Sequence, residues 1–163
     1  MNMKCAKSPL WMFALPLLLL IPVDVVKGQY YEFDDTDGFG PVFGLHSGDY
    51  LSIEGGVGML VNKEEINDMY NITALSTGLE VVMGGEEPIF APRVAAWHTR
   101  GIFTIGLGGG YYFGDGKGAV AVQPEIGLGI WTYRITWRIN LLMGDHLQRV
   151  STNDFSLTAF LPL

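Results

Sequence analysis

Six charged side chains stand on the polar side of otherwise apolar, alternating segments: Glu54, Glu80, Arg93, Glu125, Arg134 and Arg138. Three carboxylates and three guanidiniums so placed are suited to ion pairing. Arginine brings planar, bidentate geometry and a charge it does not lose. An enclosed charge without a partner costs several kcal/mol. A set balanced in sign, within a strongly acidic chain, therefore points to an internal charge network rather than to scattered surface charges. No catalytic role is assigned to these six.

Other chemistry finds little support. GLGGGYYF (Gly106 to Phe113) is rich in glycine but lies inside a strand pattern and lacks the lysine and following helix of a phosphate loop. No HExxH or Cys/His cluster is present; His46, His98 and His146 are scattered, so neither a metal nor another cofactor is expected. A serine hydrolase set would need a hydroxyl within hydrogen-bond reach of an imidazole. His46 and Ser47 are adjacent, so on a strand they face opposite ways. His146 with Ser151 and Asp154 falls in a long connection, where spacing proves nothing. Asn71-Ile72-Thr73 matches a glycosylation acceptor, a triplet frequent by chance. Enzymatic activity is not expected.

The first 28 residues read as a cleaved signal peptide. Lys4 and Lys7 precede a 12-residue apolar run from Leu10 to Ile21, and small Gly28 marks the expected cleavage point. The run is short for a membrane-spanning helix, which needs roughly 20 residues. Residues 29–163 then form one domain. The signal takes with it the single cysteine, Cys5, together with Lys4, Lys7, Lys27 and Asp24. Of 10 basic and 17 acidic residues, 7 and 16 remain, a net charge of −9. Such a balance argues against nucleic-acid binding, which needs basic patches.

The domain reads as a row of strands. Asp49 to Asn62 alternates, with Leu51, Ile53, Val57, Met59 and Val61 opposite Ser52, Glu54, Gly56 and Gly58. Period two over such a length is the strand signature. Ile72 to Gly84, Pro88 to His98, Ile102 to Phe113, Ala119 to Trp131, Tyr133 to Leu142 and Asp154 to Leu163 behave alike. Turn-rich stretches separate them: KEEINDMYN, GGEEP, TRG, GDGKG and GDHLQRVSTN. The junction at Trp131 carries no turn signal and is placed by length. Phe39 to His46 supplies an eighth strand, which puts both ends of the domain on one side with the short connections.

The polar face decides which side looks inward. It is dominated by glycine and serine, which gain nothing on a solvated surface but fit the narrow interior of an eight-stranded barrel. About 11 residues at roughly 3.3 Å each, tilted near 40°, rise about 28 Å, enough for an apolar band of about 25 Å. Tyr111, Tyr112, Trp131, Tyr133 and Phe155 sit near strand ends, where aromatic girdles lie. Pro92 and Pro124 fall within strands, each just before an inward charge, so local bulges are expected there.

With the signal peptide, the alternating strands, the APR and PEIGLG segments and the final DFSLTAFLPL in place, the chain resembles small outer-membrane β-barrel proteins of Gram-negative bacteria, the OmpA/OmpX-like and porin-like group. The resemblance implies an all-β, antiparallel up-and-down transmembrane barrel of eight strands in the bacterial outer membrane. It further implies contact with outer-membrane lipid and lipopolysaccharide, and handling by the barrel-assembly machinery, which in this group reads a terminal aromatic strand. This chain keeps the alternation but ends in Pro162-Leu163. Eight strands leave no open pore, so a structural, envelope-stability or interaction role follows, with KEEINDMYN and GDHLQRVSTN as the segments to meet a protein partner. Two other readings stand beside it: a soluble secreted barrel binding a small apolar ligand, and an outer-membrane lipid-modifying enzyme.

Overall fold

A computed structural model describes residues 38–163 apart from 67, 68, 86, 115, 145, 146 and 148, and only the backbone of 64–66 and 69. The expected signal peptide and cleavage point lie outside these residues. Every element described is a strand: β1 Phe39–Ser47, β2 Leu51–Ile66, β3 Met69–Val82, β4 Ile89–Arg100, β5 Phe103–Gly114, β6 Lys117–Ile130, β7 Tyr133–Ile139, β8 Leu141–Gly144 and β9 Asn153–Phe160. From β1 to β7 each strand pairs antiparallel with the next, β8 pairs with β6, and β9 pairs with β7 and back onto β1 from Val42↔Phe160 to Ser47↔Phe155, so the sheet closes. Strands β7 and β8 keep one register on β6, from Gly129↔Arg134 through Ala119↔Gly144, and form a single stave broken at Asn140. The result is a closed, antiparallel, eight-stranded barrel, with Phe39–Ser47 as its first stave.

The connections divide between two ends. Ile66↔Met69, Arg100↔Phe103 and Ile130↔Tyr133 each close around two residues at what we term the turn end, where β1 begins and β9 finishes. The connections that follow Ser47, Val82, Gly114 and Gly144 lie at the other end, the loop end. Gly101 closes its turn with a φ of 60°, a conformation that glycine adopts without penalty. At the next turn Trp131 takes a φ of 58°, uncommon for a bulky residue. Its ring packs on Tyr70 at 5.2 Å between centroids. This explains why the sequence there carries no turn signal: tertiary packing holds the backbone, not a local preference.

Three expectations are corrected. KEEINDMYN is not a loop; the β2–β3 ladder runs through it to Ile66↔Met69, past Met59, where β1 stops pairing with β2. Its polar composition reflects a hairpin standing clear of the apolar staves, not an end of pairing. Pro92 and Pro124 make no bulge: Pro92 pairs Leu79 and Pro124 pairs Leu107 in unbroken register. The missing N–H instead interrupts a ladder, between β4 and β5 at Ala91–Pro92 and between β6 and the β7–β8 stave opposite Pro124. The one register shift among the described ladders lies between Leu60 and Asn62. Finally, Tyr112 belongs to no outer girdle, because it points into the barrel and is buried.

Side chains alternate across the wall. Ile53, Val57, Met59, Leu75, Leu79, Val94, Ile105, Leu107, Ile126 and Ile135 face outward and are exposed, while Ser52, Glu54, Ser76, Glu80, Arg93, Thr104, Gln123 and Thr136 face inward and are buried. The interior has three layers. At the loop end, Leu147 and Val150 from the β8–β9 connection fold in against Val82, Ile89, Tyr112, Ala119 and Ala121. At the turn end, Val42, Ala74, Trp97 and Phe160 pack together, with Trp97 and Phe160 edge to face at 6.2 Å. Charged and polar residues fill the middle.

Inward glycines let neighbouring staves approach. A methyl group on Gly56 would meet backbone atoms of Thr77 and Gly78, whereas one on outward Gly55 would meet nothing within 4 Å. Gly56→Ala is therefore expected to lower stability by about 1–3 kcal/mol through overpacking, while Gly55→Ala leaves it within about 0.5 kcal/mol. Paired denaturant titrations of the two variants check this contrast.

Candidate functional site

The middle layer is built by alternation: the staves turn polar side chains inward, except β5, which lines it with glycines. Arg93 donates to Glu54 at 2.6 Å and to Glu125 at 3.0 Å. Glu125 also accepts from Arg134 at 2.9 Å and from Thr136. Arg138 donates through both terminal nitrogens to Glu80 at 3.0 Å, and through Nε and Nη2 to Asp154 at 2.8 and 2.9 Å. The last two pairs are of the two-pronged kind that gives arginine–carboxylate contacts their strength and geometry. All six charged residues singled out by the sequence lie inside the barrel, and each is at most 6% exposed.

Neutral groups complete the network. Glu80 accepts from Ser52 at 2.5 Å and from Tyr112 at 3.0 Å. Gln123 donates to Tyr112 and to Asn140, and Asn140 donates to Asp154 and to the Ser151 carbonyl. Asn140 thus spends its side chain on the interior at the point where its stave breaks opposite Gln123. Arg134 lies over the Trp97 ring, 4.2 Å from its centroid, and so joins the ionic layer to the apolar layer below. Gly106, Gly108 and Gly110 line β5 beside these guanidiniums; a methyl group on Gly108 would sit 2.9 Å from Arg93 Nη2.

Sequence reasoning missed Asp154 and His46 as well as Tyr112. Asp154 is buried against Arg138, and His46 is buried with Nδ1 2.9 Å from Ser156 Oγ and Nε2 3.2 Å from Glu54. Asp154 opens the final strand one residue before outward Phe155, so parity alone places it inside. His46 follows from parity too, once Phe39–Ser47 is taken as a strand. With Asp154 the layer holds four carboxylates against three guanidiniums.

Ser156, His46 and Glu54 stand in the order of a hydrolytic relay, hydroxyl to imidazole to carboxylate. Ser156 is 1% exposed and its hydroxyl also pairs with Thr158 at 3.1 Å, and Glu54 is gripped by Arg93. The trio links β1, β2 and β9. His98 lies on the outer wall, bonded to Thr73 at 2.9 Å, and Asn71 sits within β3 opposite Arg100. His146 lies outside the described residues. No group of three or more potential metal ligands occurs among the described residues.

The chain matches no protein-family model, no curated protein and no solved structure in the comparisons made.

The interior therefore ties its own walls together. Replacing Arg138 would strand Glu80 and Asp154 without their shared partner. Arg138→Met is expected to destabilise the folded barrel by about 3–5 kcal/mol, read as a lowered unfolding midpoint. Ser156→Ala, which removes one neutral partner, should cost only about 1 kcal/mol.

Proposed function

We propose that this chain is a small outer-membrane β-barrel with a structural, envelope-stability or interaction role and no open pore. One observation carries the reading: the barrel is apolar outside and ionic inside. A water-soluble barrel hides its apolar face and wets the polar one; a membrane barrel reverses the two. Here Val94, Ile126 and Phe103 are 61%, 60% and 68% exposed, while Arg138 is fully buried. Soluble monomers seldom expose contiguous apolar patches beyond a few hundred Å², and this belt runs around the whole wall.

The ends of the belt support the same reading. Phe90, Tyr111, Phe113 and Phe155 ring the loop end, with Phe90 and Tyr111 each stacked on Phe113. Phe39, Phe103, Trp131 and Tyr133 ring the turn end. From Phe103 to Tyr111 along β5, the rise is roughly 20 Å at ordinary strand tilt. Exposed polar groups within the belt are few, and Thr77 satisfies its hydroxyl on the Arg93 carbonyl.

Bacterial barrels place short turns in the periplasm and longer loops outside. On that rule the loop end faces lipopolysaccharide and external partners, and the extended β2–β3 hairpin faces the periplasm. The GDHLQRVSTN connection then sends Leu147 and Val150 into the loop-end mouth. Assembly of such a barrel calls for the barrel-assembly machinery. An interior packed with ions leaves no apolar chamber for a ligand, and the enclosed Ser156 gives no foothold to a lipid-modifying enzyme.

Two results would bear this out: recovery in the outer-membrane fraction, and migration on gels that changes when the sample is boiled. A freely soluble periplasmic product would overturn it. Ile105→Arg, placed on the outer face, is expected to cost about 2–4 kcal/mol in a lipid-embedded barrel. On a water-facing wall the same change would fall within about 0.5 kcal/mol. Folding titrations in lipid vesicles separate the two cases.

A further inference from the structure

A pocket of about 410 Å³ opens at the turn end, beneath the Gly101–Ile102 turn and beside Trp131. Its volume lies in the range of sites that hold small organic ligands. Ile72, Ile102, Phe103, Ile130 and Trp131 supply a mostly apolar lining, and Arg100 supplies a cation. The pocket arises from unequal heights. The β4–β5 turn is short, while the β2–β3 hairpin stands taller and the Trp131 ring is held upright against Tyr70. Phe103 and Ile130, 68% and 64% exposed, carry the outer belt directly into the pocket.

Arg100 is the second feature. It ends β4 on the outer face, opposite Asn71 on one side and Phe103 on the other. It is exposed and makes no ion pair among the described residues. Its guanidinium therefore sits at the level of the turn-end aromatics, where lipid headgroups meet a membrane protein.

We propose that this pocket holds one phospholipid of the leaflet at the turn end, with its phosphate on Arg100 and the first part of an acyl chain among Ile102, Phe103 and Ile130. A planar guanidinium accepts two phosphate oxygens at once. A free phosphate would use Arg100 and leave the apolar lining in water; a neutral oil would use the lining and leave the cation idle. Only an anionic amphiphile satisfies both. Because the turn end faces the periplasm on the reading above, that amphiphile is a phospholipid rather than lipopolysaccharide. The assignment rests on the membrane reading and extends it by naming a lipid site.

The test uses the full folded chain in lipid-free dodecyl maltoside, mixed with dioleoyl phosphatidylglycerol or with phosphate-free dioleoylglycerol, and read by native mass spectrometry. The expected result is one retained phosphatidylglycerol, with retention falling about tenfold or more in Arg100→Gln and for dioleoylglycerol, the loss of a charge-assisted contact. Val120→Ala, on the belt away from the pocket, should retain the lipid as the unaltered chain does. A boil-dependent gel shift establishes that each variant is folded. Equal retention by Arg100→Gln overturns the proposal, as does equal retention of dioleoylglycerol or displacement of the lipid by inorganic phosphate. If the unaltered chain stays dispersed without detergent and ignores vesicles, the membrane reading itself fails. If it enters vesicles but holds no lipid through Arg100, only the pocket assignment fails.

Discussion

Charges shut inside a narrow barrel must find their partners there, and the partners lie on other staves. Arg138 and Glu80 are 58 residues apart, Arg93 and Glu54 are 39, and His46 and Ser156 are 110. Arg138 on β7 and Glu80 on β3 are not neighbours in the sheet, so their contact cannot form in an open sheet of a few strands. The same interactions that would be costly if unmatched therefore reward full closure and little else. Registers that misplace the wall by one residue turn every ion toward the outside and every isoleucine inward. The network thus acts as a check on closure as much as a source of stability.

Much of the remaining architecture accommodates that layer. Glycines on β5 and at Gly56, Gly78 and Gly127 leave space for guanidinium stems and close backbone approach. Pro92 and Pro124 lie next to Arg93 and Glu125 and point outward, so their missing donors interrupt pairing without moving the charged side chain off the inner face. Apolar layers above and below screen the ions from both mouths, with Leu147 and Val150 at one and Trp97 and Phe160 at the other. Side chains thus fill the barrel at both mouths and in the middle.

The strands were legible because alternation over Leu51 to Val61 or Tyr133 to Leu141 has one structural meaning, and parity assigns each charge to a face. Partners were not legible, since pairing across the interior depends on the register between staves and on the tilt of the whole wall. Glu125 faces Arg138 across β6 and β7, yet its ion pairs run to Arg93 and Arg134. Tyr112 shares the parity of inward Gly108 and Gly110, and its aromatic ring masked that signal. KEEINDMYN was misread because polar residues mark a turn only where the surroundings are apolar. The Trp131 turn left no trace in sequence, as its strain is held by a contact with Tyr70.

The central claim concerns which face meets lipid, and two tryptophans report on it. Trp137 stands on the outer belt, 45% exposed, whereas Trp97 is buried inside at 3%. In vesicles of phosphatidylcholine brominated at mid-chain, fluorescence quenching by bromine should fall most when Trp137 is replaced by Phe, and little when Trp97 is. Quenching unchanged by Trp137→Phe, in a chain that remains dispersed without detergent, would contradict the account.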